Sequence, residues 1–366
     1  MNDETKLIIM PNIQKFGELV NEQLRLIQGD LHDKRISIQL DRFSNAEGKA
    51  TIHDDVTGKR IFILSDVGNY GEESCYYSRG RAYMKSPDDH FQDIKRIISA
   101  IDKRAKAVYV VTPLLYESRQ DKKPYGVDES LDCKEGLIEL ENRNVDGIIT
   151  LDAHNNFVCQ NILRKTSFDN LLPTYTLLKE FLLNEEFKKN KTIIIAPDKG
   201  AVSRAISFAS ILGVDIGMFH KRRDYSKVIN GKNPLVEHKY LGDDVSGKHV
   251  IIVDDMISSG ESILDVASKL KTNGAEKIDI MVTFPLFTDG EESINKFINA
   301  YNNSIFNTLY TTNVTYVPEE VKKEKWYHEV DLSKYFAKAI NAISNEQSLK
   351  DVDEKEKNEV KKLIKK

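Results

Sequence analysis

The sequence predicts an α/β fold with two domains, mainly because of its short apolar runs. These runs are rich in Ile and Val, and each is followed by an amphipathic stretch typical of a helix. Because they are continuously apolar rather than alternating, they are typical of strands buried on both faces of a parallel sheet. The runs are RIFILSD, AVYVVTP, GIITLDAH, TIIIAPD, HVIIVDD and KIDIMVTF. At 366 residues the chain also exceeds the size that a single core usually reaches.

The composition gives no sign of a nucleic-acid or membrane partner. The formal net charge is -4 with 30% charged residues, so any anion site must be local. The three cysteines form no C-x-x-C pair, which argues against a disulfide framework or a thiolate metal site. The N-terminus has no apolar leader, and no run is long enough to span a membrane. We therefore expect a cytoplasmic protein.

The apolar runs fall into two groups, and these groups predict the domain boundaries. One group lies around residues 60–152 and the other around residues 191–284, with a helical stretch between them. We therefore expect an N-terminal α/β domain over residues 1–165 and a C-terminal α/β domain over residues 166–330. No repeat is strong enough to establish that the two halves arose by duplication.

The C-terminal segment predicts one packed helix followed by a charged tail. Residues 331–346 carry apolar side chains at helical spacing, so this helix should pack, and we expect it to return to the N-terminal domain. Residues 351–366 are a charged run with few apolar anchors, typical of a solvated or frayed helix. We further expect the carboxyl edges of the two sheets to face one cleft.

Several of the predicted strands end in an acid, a His or a Pro. Ligand sites of open α/β sheets lie at the carboxyl ends of the strands, so these residues are the first candidates for chemistry. The alternative for any single acid is a helix N-cap, since an Asp after a strand often only begins the next helix. The residues at these ends are Asp66, Pro113, Asp152, His154, Asp198, Asp254 and Asp255.

The segment HVIIVDDMISSGESILDVASKL reads as a strand, a turn and a helix, and its turn has the features of an anion site. Backbone N–H groups at the helix start, together with the serine hydroxyls, suit a phosphate monoester, and Gly260 allows close approach of the backbone. Ionised carboxylates at Asp254 and Asp255 suit the vicinal hydroxyls of a ribose. A phosphorylated ribose is therefore the predicted ligand. The alternative is a plain capping box, because Ser258 and Glu261 also fit the pattern S-x-x-E.

VDDMISSGES resembles the phosphoribose signature of phosphoribosyltransferases and, more closely, of ribose-phosphate pyrophosphokinases, which make phosphoribosyl pyrophosphate. Other segments resemble the second family in chain order. They are RFSNAEGKATI for the adenine loop, YESRQDKK for a second ATP segment, LDAHNN for the metal-binding histidine loop, APDKGA for the acidic metal loop, HKRRD for the catalytic flexible loop and AISNEQSL for the C-terminal helix. The resemblance implies two phosphoribosyltransferase-like domains, each with a mainly parallel central sheet flanked by helices.

The resemblance also implies a reaction, the transfer of the diphosphoryl group of ATP to ribose 5-phosphate, and roles for individual residues. In-line transfer of this kind depends on positioning and charge stabilisation. Lys221 and Arg223 would be the catalytic cations, and His154 and Asp198 would bind or orient Mg²⁺. ATP contacts would come from Phe43, Asn45, Ala46, Glu47, Arg119, Gln120 and His154. Ribose 5-phosphate contacts would come from Asp254, Asp255, Ser258, Ser259, Gly260, Glu261 and Ser262.

Three features depart from the usual family pattern. In the phosphoribose loop, Ser258 stands in place of an acid and Glu261 in place of a glycine. In the adenine loop, Ala46 stands where glycine is usual, which restricts the backbone. The stretch over residues 68–95 is longer and richer in charged and aromatic side chains than its usual counterpart. Longer bacterial members of the family resemble this chain across that stretch and the serine-containing loop, so we interpret these two features as marks of a subgroup.

Two alternatives stay open beside this interpretation. A base phosphoribosyltransferase would share the loop over residues 254–262 but needs only one such domain. A non-catalytic regulatory paralogue would keep the fold and lose catalytic residues. Without the resemblance, the basic run 220–223 would be interpreted as a solvated loop and Phe43 as a core residue. The resemblance also implies a homo-oligomer, a hexamer built from dimers, in which the adenine loop acts across a subunit interface.

Overall fold

The structure is a computed structural model, and it divides into two compact units. It describes residues 5–30, 32–71, 74–123, 126–223 and 235–365, with the backbone only for residues 221–223 and 235–238. Unit 1 comprises residues 1–173, 313–316 and 331–355, and unit 2 comprises residues 174–312, 317–330 and 356–366. No helix in the described ranges is long and apolar enough to cross a membrane.

Unit 1 is built on a parallel sheet of five strands. In spatial order these are β1 (Thr5–Ile9), β4 (Arg60–Leu64), β7 (Ala107–Val111), β8 (Gly147–Leu151) and β9 (Ser167–Leu171). Every residue of β4 and of β8 is buried, as continuous apolar runs require. Two antiparallel hairpins lie outside this sheet, β2 (Ile38–Arg42) with β3 (Gly48–Ile52) and β5 (Cys75–Ser78) with β6 (Arg81–Met84).

The helices of unit 1 cover its sheet and bring the C-terminal part of the chain back to it. They are α1 (Gln14–Gln28), α2 (Pro87–Ile101), α3 (Asp132–Asn142), α4 (Asn156–Ile162) and α10 (Ser333–Ser344), followed by α11 (Leu349–Ile364), which the unit boundary divides after residue 355. The segment predicted to be a packed helix is α10. It packs against α1, where the rings of Phe16 and Phe336 meet edge to face at 5.3 Å.

Unit 2 is built on a sheet of seven strands, in which β11 and β12 pair antiparallel and all other neighbours are parallel. In spatial order the strands are β12 (Leu235–Leu241), β11 (Asp215–Arg223), β10 (Thr192–Ala196), β13 (His249–Ile257), β14 (Lys277–Pro285), β15 (Thr308–Thr312) and β16 (Tyr327–Val330). The helices are α5 (Thr174–Asn184), α6 (Val202–Leu212), α7 (Glu261–Thr272), α8 (Glu291–Asn302) and α9 (Glu319–Lys322).

Each unit has its own apolar core between sheet and helices. In unit 1, Ile94 and Ile97 of α2 pack with Ile61 and Val110 of the sheet. In unit 2, side chains of α7 and α8 cover β13 and β14. Burial of this kind stabilises the folded state by about 25 cal/mol per Å² of apolar surface. The two cores therefore hold the strands in place, and with them the loops at the strand ends.

The predicted α/β class with mainly parallel sheets is confirmed, and all six apolar runs are strands. The pattern missed the edge strands β9, with sequence SFDNL, and β16, with sequence YHEV. An edge strand is flanked by one strand only, so it does not need a continuous apolar run to be stable in the sheet.

Candidate active site

The turn between β13 and α7 is shaped by its backbone. Gly260 precedes the first helical residue with a φ of +78°, in the left-handed region that favours glycine. A Cβ atom at Gly260 would lie 2.3 Å from Cε2 of Phe297 in α8. Glycine is therefore required here for two reasons, the backbone conformation and the close packing of α8 against the turn.

The capping box that Ser258 and Glu261 could have formed is absent from this turn. The N-cap of α7 is Gly260, which has no side chain to cap the helix, and the Glu261 N–H donates a long hydrogen bond of 3.5 Å to Ser259 Oγ. Ser258 Oγ instead lies 2.7 Å from Oγ1 of Thr288, and Glu261 forms an ion pair with Lys296 at 3.0 Å. The capping box of Ser258 and Glu261 is therefore wrong, and the N-cap residue itself supplies no side chain at the helix start, where a phosphate would bind.

Asp254 and Asp255 lie in the C-terminal half of strand β13, and their surroundings differ. Asp255 is buried, whereas the Asp254 side chain is 23% exposed and has Arg204 of α6 at 3.9 Å. Burial and the neighbouring charge of Asp255 raise the pKa of Asp254 to about 8, against the opposing effect of Arg204. This differs from the expectation of two ionised carboxylates, because adjacent, partly buried acids do not both ionise readily.

The acidic loop after β10 lies in the same unit as this turn. Asp198 is half-buried, and its Oδ1 accepts a hydrogen bond from the Gly200 N–H at 2.8 Å. Its charge is also close enough to help raise the pKa of Asp254. Unit 2 therefore brings Asp198, Asp254 and Asp255 together at the carboxyl ends of adjacent strands, with Arg204 beside them. Arg204 was not among the predicted site residues, although its position just after the APDKGA segment was a usable signal.

The basic run 220–223 is the end of strand β11 rather than the loop that was expected. Lys221 pairs in register with His238 of β12, and the register shifts at Arg223, which pairs with Leu235. The polar composition of this run favours a loop, but pairing with β12 gives β11 backbone hydrogen bonds and so makes the run part of a strand. The side chains of Lys221 and Arg223, and residues 224–234, lie outside what the structure describes.

In unit 1 the segment predicted to contact adenine, called the adenine loop below, is the turn of the β2–β3 hairpin. The Phe43 N–H donates to the Glu47 carbonyl at 2.8 Å, and the Ala46 N–H donates to the Phe43 carbonyl at the same distance. The Phe43 ring is 56% exposed, so its interpretation as a core residue is wrong. Ala46 has a φ of +76°, which explains why glycine is usual at this position. Asn45 Oδ1 accepts from the Glu47 N–H at 3.2 Å.

The other predicted ATP residues of unit 1 follow β7 and β8, which are neighbours in the sheet. Arg119 and Gln120 are both exposed in the segment after β7, and His154 is exposed in the turn after β8. The N-cap of α4 is Asn155, whose Oδ1 accepts from the Val158 N–H at 3.3 Å, so Asp152 is not the cap. Carboxyl ends of neighbouring parallel strands lie on one sheet edge, where ligands of such folds bind.

Two other strand-end residues have structural roles. Asp66 is fully buried, and its Oδ2 accepts hydrogen bonds from Thr315 Oγ1 at 2.8 Å and from the Tyr316 N–H at 2.9 Å. The Pro113 carbonyl accepts from the Thr150 hydroxyl at 3.0 Å, which ties the ends of β7 and β8 together. We therefore no longer consider Asp66 or Pro113 a candidate catalytic or binding residue.

No group of three or more His, Cys, Asp or Glu side chains in the described part of the chain is arranged to hold a metal.

The two sheets and the strand–turn–helix segment formed by β13 and α7 define an α/β protein of the phosphoribosyltransferase type. Residues 176–318 match the phosphoribosyl transferase domain, and residues 6–141 match the N-terminal domain of ribose phosphate pyrophosphokinase. The chain belongs to the ribose-phosphate pyrophosphokinase family, a family of transferase enzymes.

Named relatives agree with this assignment over nearly the whole chain. The ribose-phosphate pyrophosphokinases of Vibrio parahaemolyticus and Vibrio cholerae are each 27% identical over 344 residues, which is 93% of this chain and 98% of each relative. The crystal structure of phosphoribosylpyrophosphate synthetase from Mycobacterium smegmatis is 19% identical with a TM-score of 0.75, covering 94% of this chain and 99% of that one. At this identity the structural likeness concerns the fold.

Proposed function

We propose that this chain transfers the β,γ-diphosphoryl group of ATP to the C1 hydroxyl of ribose 5-phosphate, giving AMP and phosphoribosyl pyrophosphate. The observation that carries the proposal is that both family domains match in order along one chain, the N-terminal one over residues 6–141 and the C-terminal one over residues 176–318. A base phosphoribosyltransferase needs only the second of them.

Ribose 5-phosphate is proposed to bind at the turn between β13 and α7. The helix start at the left-handed Gly260 suits a phosphate group, because backbone N–H groups and the helix dipole favour an anion there. Asp254 and Asp255 would meet the ribose hydroxyls. The proposed contacts are Asp254, Asp255, Ser258, Ser259, Gly260, Glu261 and Ser262.

ATP is proposed to bind through the exposed polar and aromatic groups of unit 1. The exposed Phe43 ring offers a stacking surface for adenine, and the planar donors of Arg119 and Gln120 suit the phosphate oxygens and the ring nitrogens of the base. The proposed contacts are Phe43, Asn45, Ala46, Glu47, Arg119, Gln120 and His154.

Mg²⁺ is the proposed cofactor, and the donor chemistry of unit 2 fits it. Asp198 and Asp255 both raise the pKa of Asp254 through their charges, so carboxylate oxygens of these acids are available near one sheet edge, without forming a three-ligand cluster in the described residues. Mg²⁺ prefers oxygen ligands and is typically held by one or two carboxylates together with substrate phosphates. Asp198 and His154 are the proposed contacts, the latter directly or through water. The ion would offset the negative charge of the phosphates.

Lys221 and Arg223 are proposed to stabilise the charge that develops during transfer. In-line transfer leaves little covalent work for the protein, so preorganised cations beside the moving group account for most of its contribution. Both residues belong to the terminal part of β11, next to the strand β10 that leads to Asp198.

The proposal is tested by measuring AMP release from ATP with Mg²⁺, with and without ribose 5-phosphate. We expect release that depends on ribose 5-phosphate and is lost when Mg²⁺ is chelated. Release of pyrophosphate from phosphoribosyl pyrophosphate and a free base would instead support a base phosphoribosyltransferase. Binding of both substrates without turnover would support a non-catalytic paralogue. Light scattering tests the proposed hexamer built from dimers, and localisation in cells tests the expected cytoplasmic site.

A further inference from the structure

The hairpin formed by β5 and β6 belongs to the long stretch over residues 68–95, and it lies against the adenine loop. The Ser78 hydroxyl, at the end of β5, donates a hydrogen bond to the backbone carbonyl of Ser44 at 2.9 Å. Ser44 lies within the loop, directly after Phe43. Ser78 is buried although the hairpin as a whole is mostly exposed, which shows that this end of the hairpin is packed against the loop.

A second contact joins the same hairpin to the base of the loop. Arg42 is the last residue of β2, and its guanidinium carbon lies 5.0 Å from the centre of the Tyr76 ring in β5. Tyr76 in turn stacks on Tyr83 of β6 with ring centres 5.5 Å apart. The Arg42 side chain is almost fully buried, so this cation–π contact is more favourable than one in water.

A buried carboxylate connects the hairpin and the loop a third time. Asp93 of α2 accepts from Arg42 Nη2 at 3.0 Å, from Lys85 Nζ at 2.8 Å and from Arg96 Nη1 at 2.6 Å. Lys85 is the residue that follows β6. The base of the adenine loop and the end of the hairpin therefore share one charge-assisted partner.

The adenine loop depends on such external support because its own conformation is constrained. Ala46 has a left-handed φ of +76°, a conformation that is unfavourable for a residue with a Cβ atom. At the other end of the loop, a Cβ at Gly48 would lie 2.5 Å from the guanidinium groups of Arg42 and Arg96. A side chain at position 48 would therefore require these two guanidinium groups to move.

We propose that the β5–β6 hairpin is a positioning element for the nucleotide base. Through Tyr76 and Ser78 it holds the adenine loop in its binding conformation, and these two positioning residues set the affinity for the adenine end of ATP. The proposal rests on the proposed function, since it takes the β2–β3 turn to be the adenine site. It assigns a role in substrate recognition to the stretch that distinguishes this chain from the usual family pattern.

The test compares steady-state kinetics of Tyr76→Ala, Tyr76→Phe and Ser78→Ala with those of the wild type. We expect Tyr76→Ala and Ser78→Ala to raise the KM for ATP by about 3- to 30-fold, the range for losing one cation–π contact or hydrogen bond. The KM for ribose 5-phosphate and kcat should stay at their wild-type values. Tyr76→Phe keeps the aromatic ring, so its KM for ATP should equal that of the wild type. Arg81→Ala, at an exposed position of the same hairpin, is the matched control.

Direct titration with a fluorescent adenine nucleotide distinguishes a failure of the positioning role from a failure of the proposed enzymatic function. If the wild type is active and neither Tyr76→Ala nor Ser78→Ala weakens nucleotide binding, the positioning role is refuted and the enzymatic function stands. If the wild type binds the nucleotide but makes no AMP, and the variants bind it more weakly, the function fails and the positioning role stands. A wild type that binds no adenine nucleotide overturns both. Should Tyr76→Ala unfold, Ser78→Ala decides alone.

Discussion

The phosphoribose loop of unit 2 and the adenine loop of unit 1 are stabilised in different ways. In the first, a strand, a left-handed Gly260 and a helix start define the shape, and the N-cap position carries no side chain. In the second, the turn contains a strained Ala46, and contacts with Ser78 and with the charge cluster around Asp93 hold it from outside.

This difference predicts different responses to mutation. A loop shaped by its own backbone should tolerate changes of individual polar side chains and fail when its φ angles become unfavourable. A loop held by distant side chains should tolerate a more permissive backbone and fail when the supporting charges are removed. The experiments below test this contrast, from the largest expected effect to the smallest.

Asp93→Asn should have the largest effect, because it leaves three cations beside a neutral amide. The Asp93 carboxylate is only 3% exposed, so we expect the free energy of unfolding to fall by about 3–5 kcal/mol. Chemical denaturation measures this loss. Glu139→Gln, which removes a surface ion pair with Lys95, is the control and should cost less than about 1 kcal/mol. Similar small losses in both variants would contradict external support of the adenine loop.

Lys221→Ala should separate transfer from binding, because Lys221 belongs to neither loop. We expect kcat to fall by about 10²–10³-fold with little change in either KM, the effect of removing one preorganised charge from a transition state. Steady-state kinetics with both substrates measure it. Lys239→Ala, an exposed lysine of the neighbouring strand β12, is the control. An unchanged kcat in Lys221→Ala would remove this residue from the proposed mechanism.

Gly260→Val tests the backbone shape of the phosphoribose loop. Valine at a φ of +78°, with its Cβ 2.3 Å from Phe297, should cost about 2–3 kcal/mol and raise the KM for ribose 5-phosphate by at least about 30-fold. Ser258→Ala should cost only about 0.5–1.5 kcal/mol, since it loses one hydrogen bond to Thr288. Equal effects of the two changes would show that side chains, rather than the backbone, shape this loop.

Asp254→Asn tests the charge state of the same loop. The pKa of Asp254 is raised from 3.8 to about 8, so between these values the folded chain keeps a proton that the unfolded chain releases. The free energy of unfolding of the wild type should therefore fall relative to the variant as pH rises from about 4 to 8, and level off above.

We expect a relative fall of about 2 kcal/mol, less than the full shift corresponds to, because the carboxyl is still 23% exposed. Urea denaturation of both proteins across this pH range measures the difference, in which the other titrating groups largely cancel. A difference that stays constant with pH would mean that Asp254 is ionised throughout.

Ala46→Gly should have the smallest effect and the opposite sign. Glycine adopts a φ of +76° without steric cost, so the variant should be as stable as the wild type or up to about 1 kcal/mol more stable, without a higher KM for ATP. Ala50→Gly in β3 is the control and should destabilise by about 0.5–1 kcal/mol. A large loss of ATP affinity in Ala46→Gly would show that the alanine methyl group itself contacts the nucleotide.

Features that depend on neighbours in the sequence were predicted from the sequence. The six buried strands follow from continuous apolar runs, because side chains along such a run must be buried on both faces of a sheet. The turn over residues 254–262 was also identified, since its serines and Gly260 are consecutive and belong to a recognisable signature. The need for a left-handed residue at Ala46 was indicated by the glycine that is usual there.

Features that depend on distant residues were decided by the tertiary structure alone. Asp66 was a candidate for chemistry until its carboxylate was found to accept from Thr315, 249 residues away. The run 220–223 became a strand because β12 pairs with it, and Asp254 became a weak acid because burial and neighbouring charges surround it. Arg42, Lys85 and Arg96 meet at Asp93 from a strand, a hairpin end and a helix. Local sequence patterns do not reveal such long-range contacts, because hydrogen bonds and desolvation depend on which groups the folded chain brings within a few ångströms of each other.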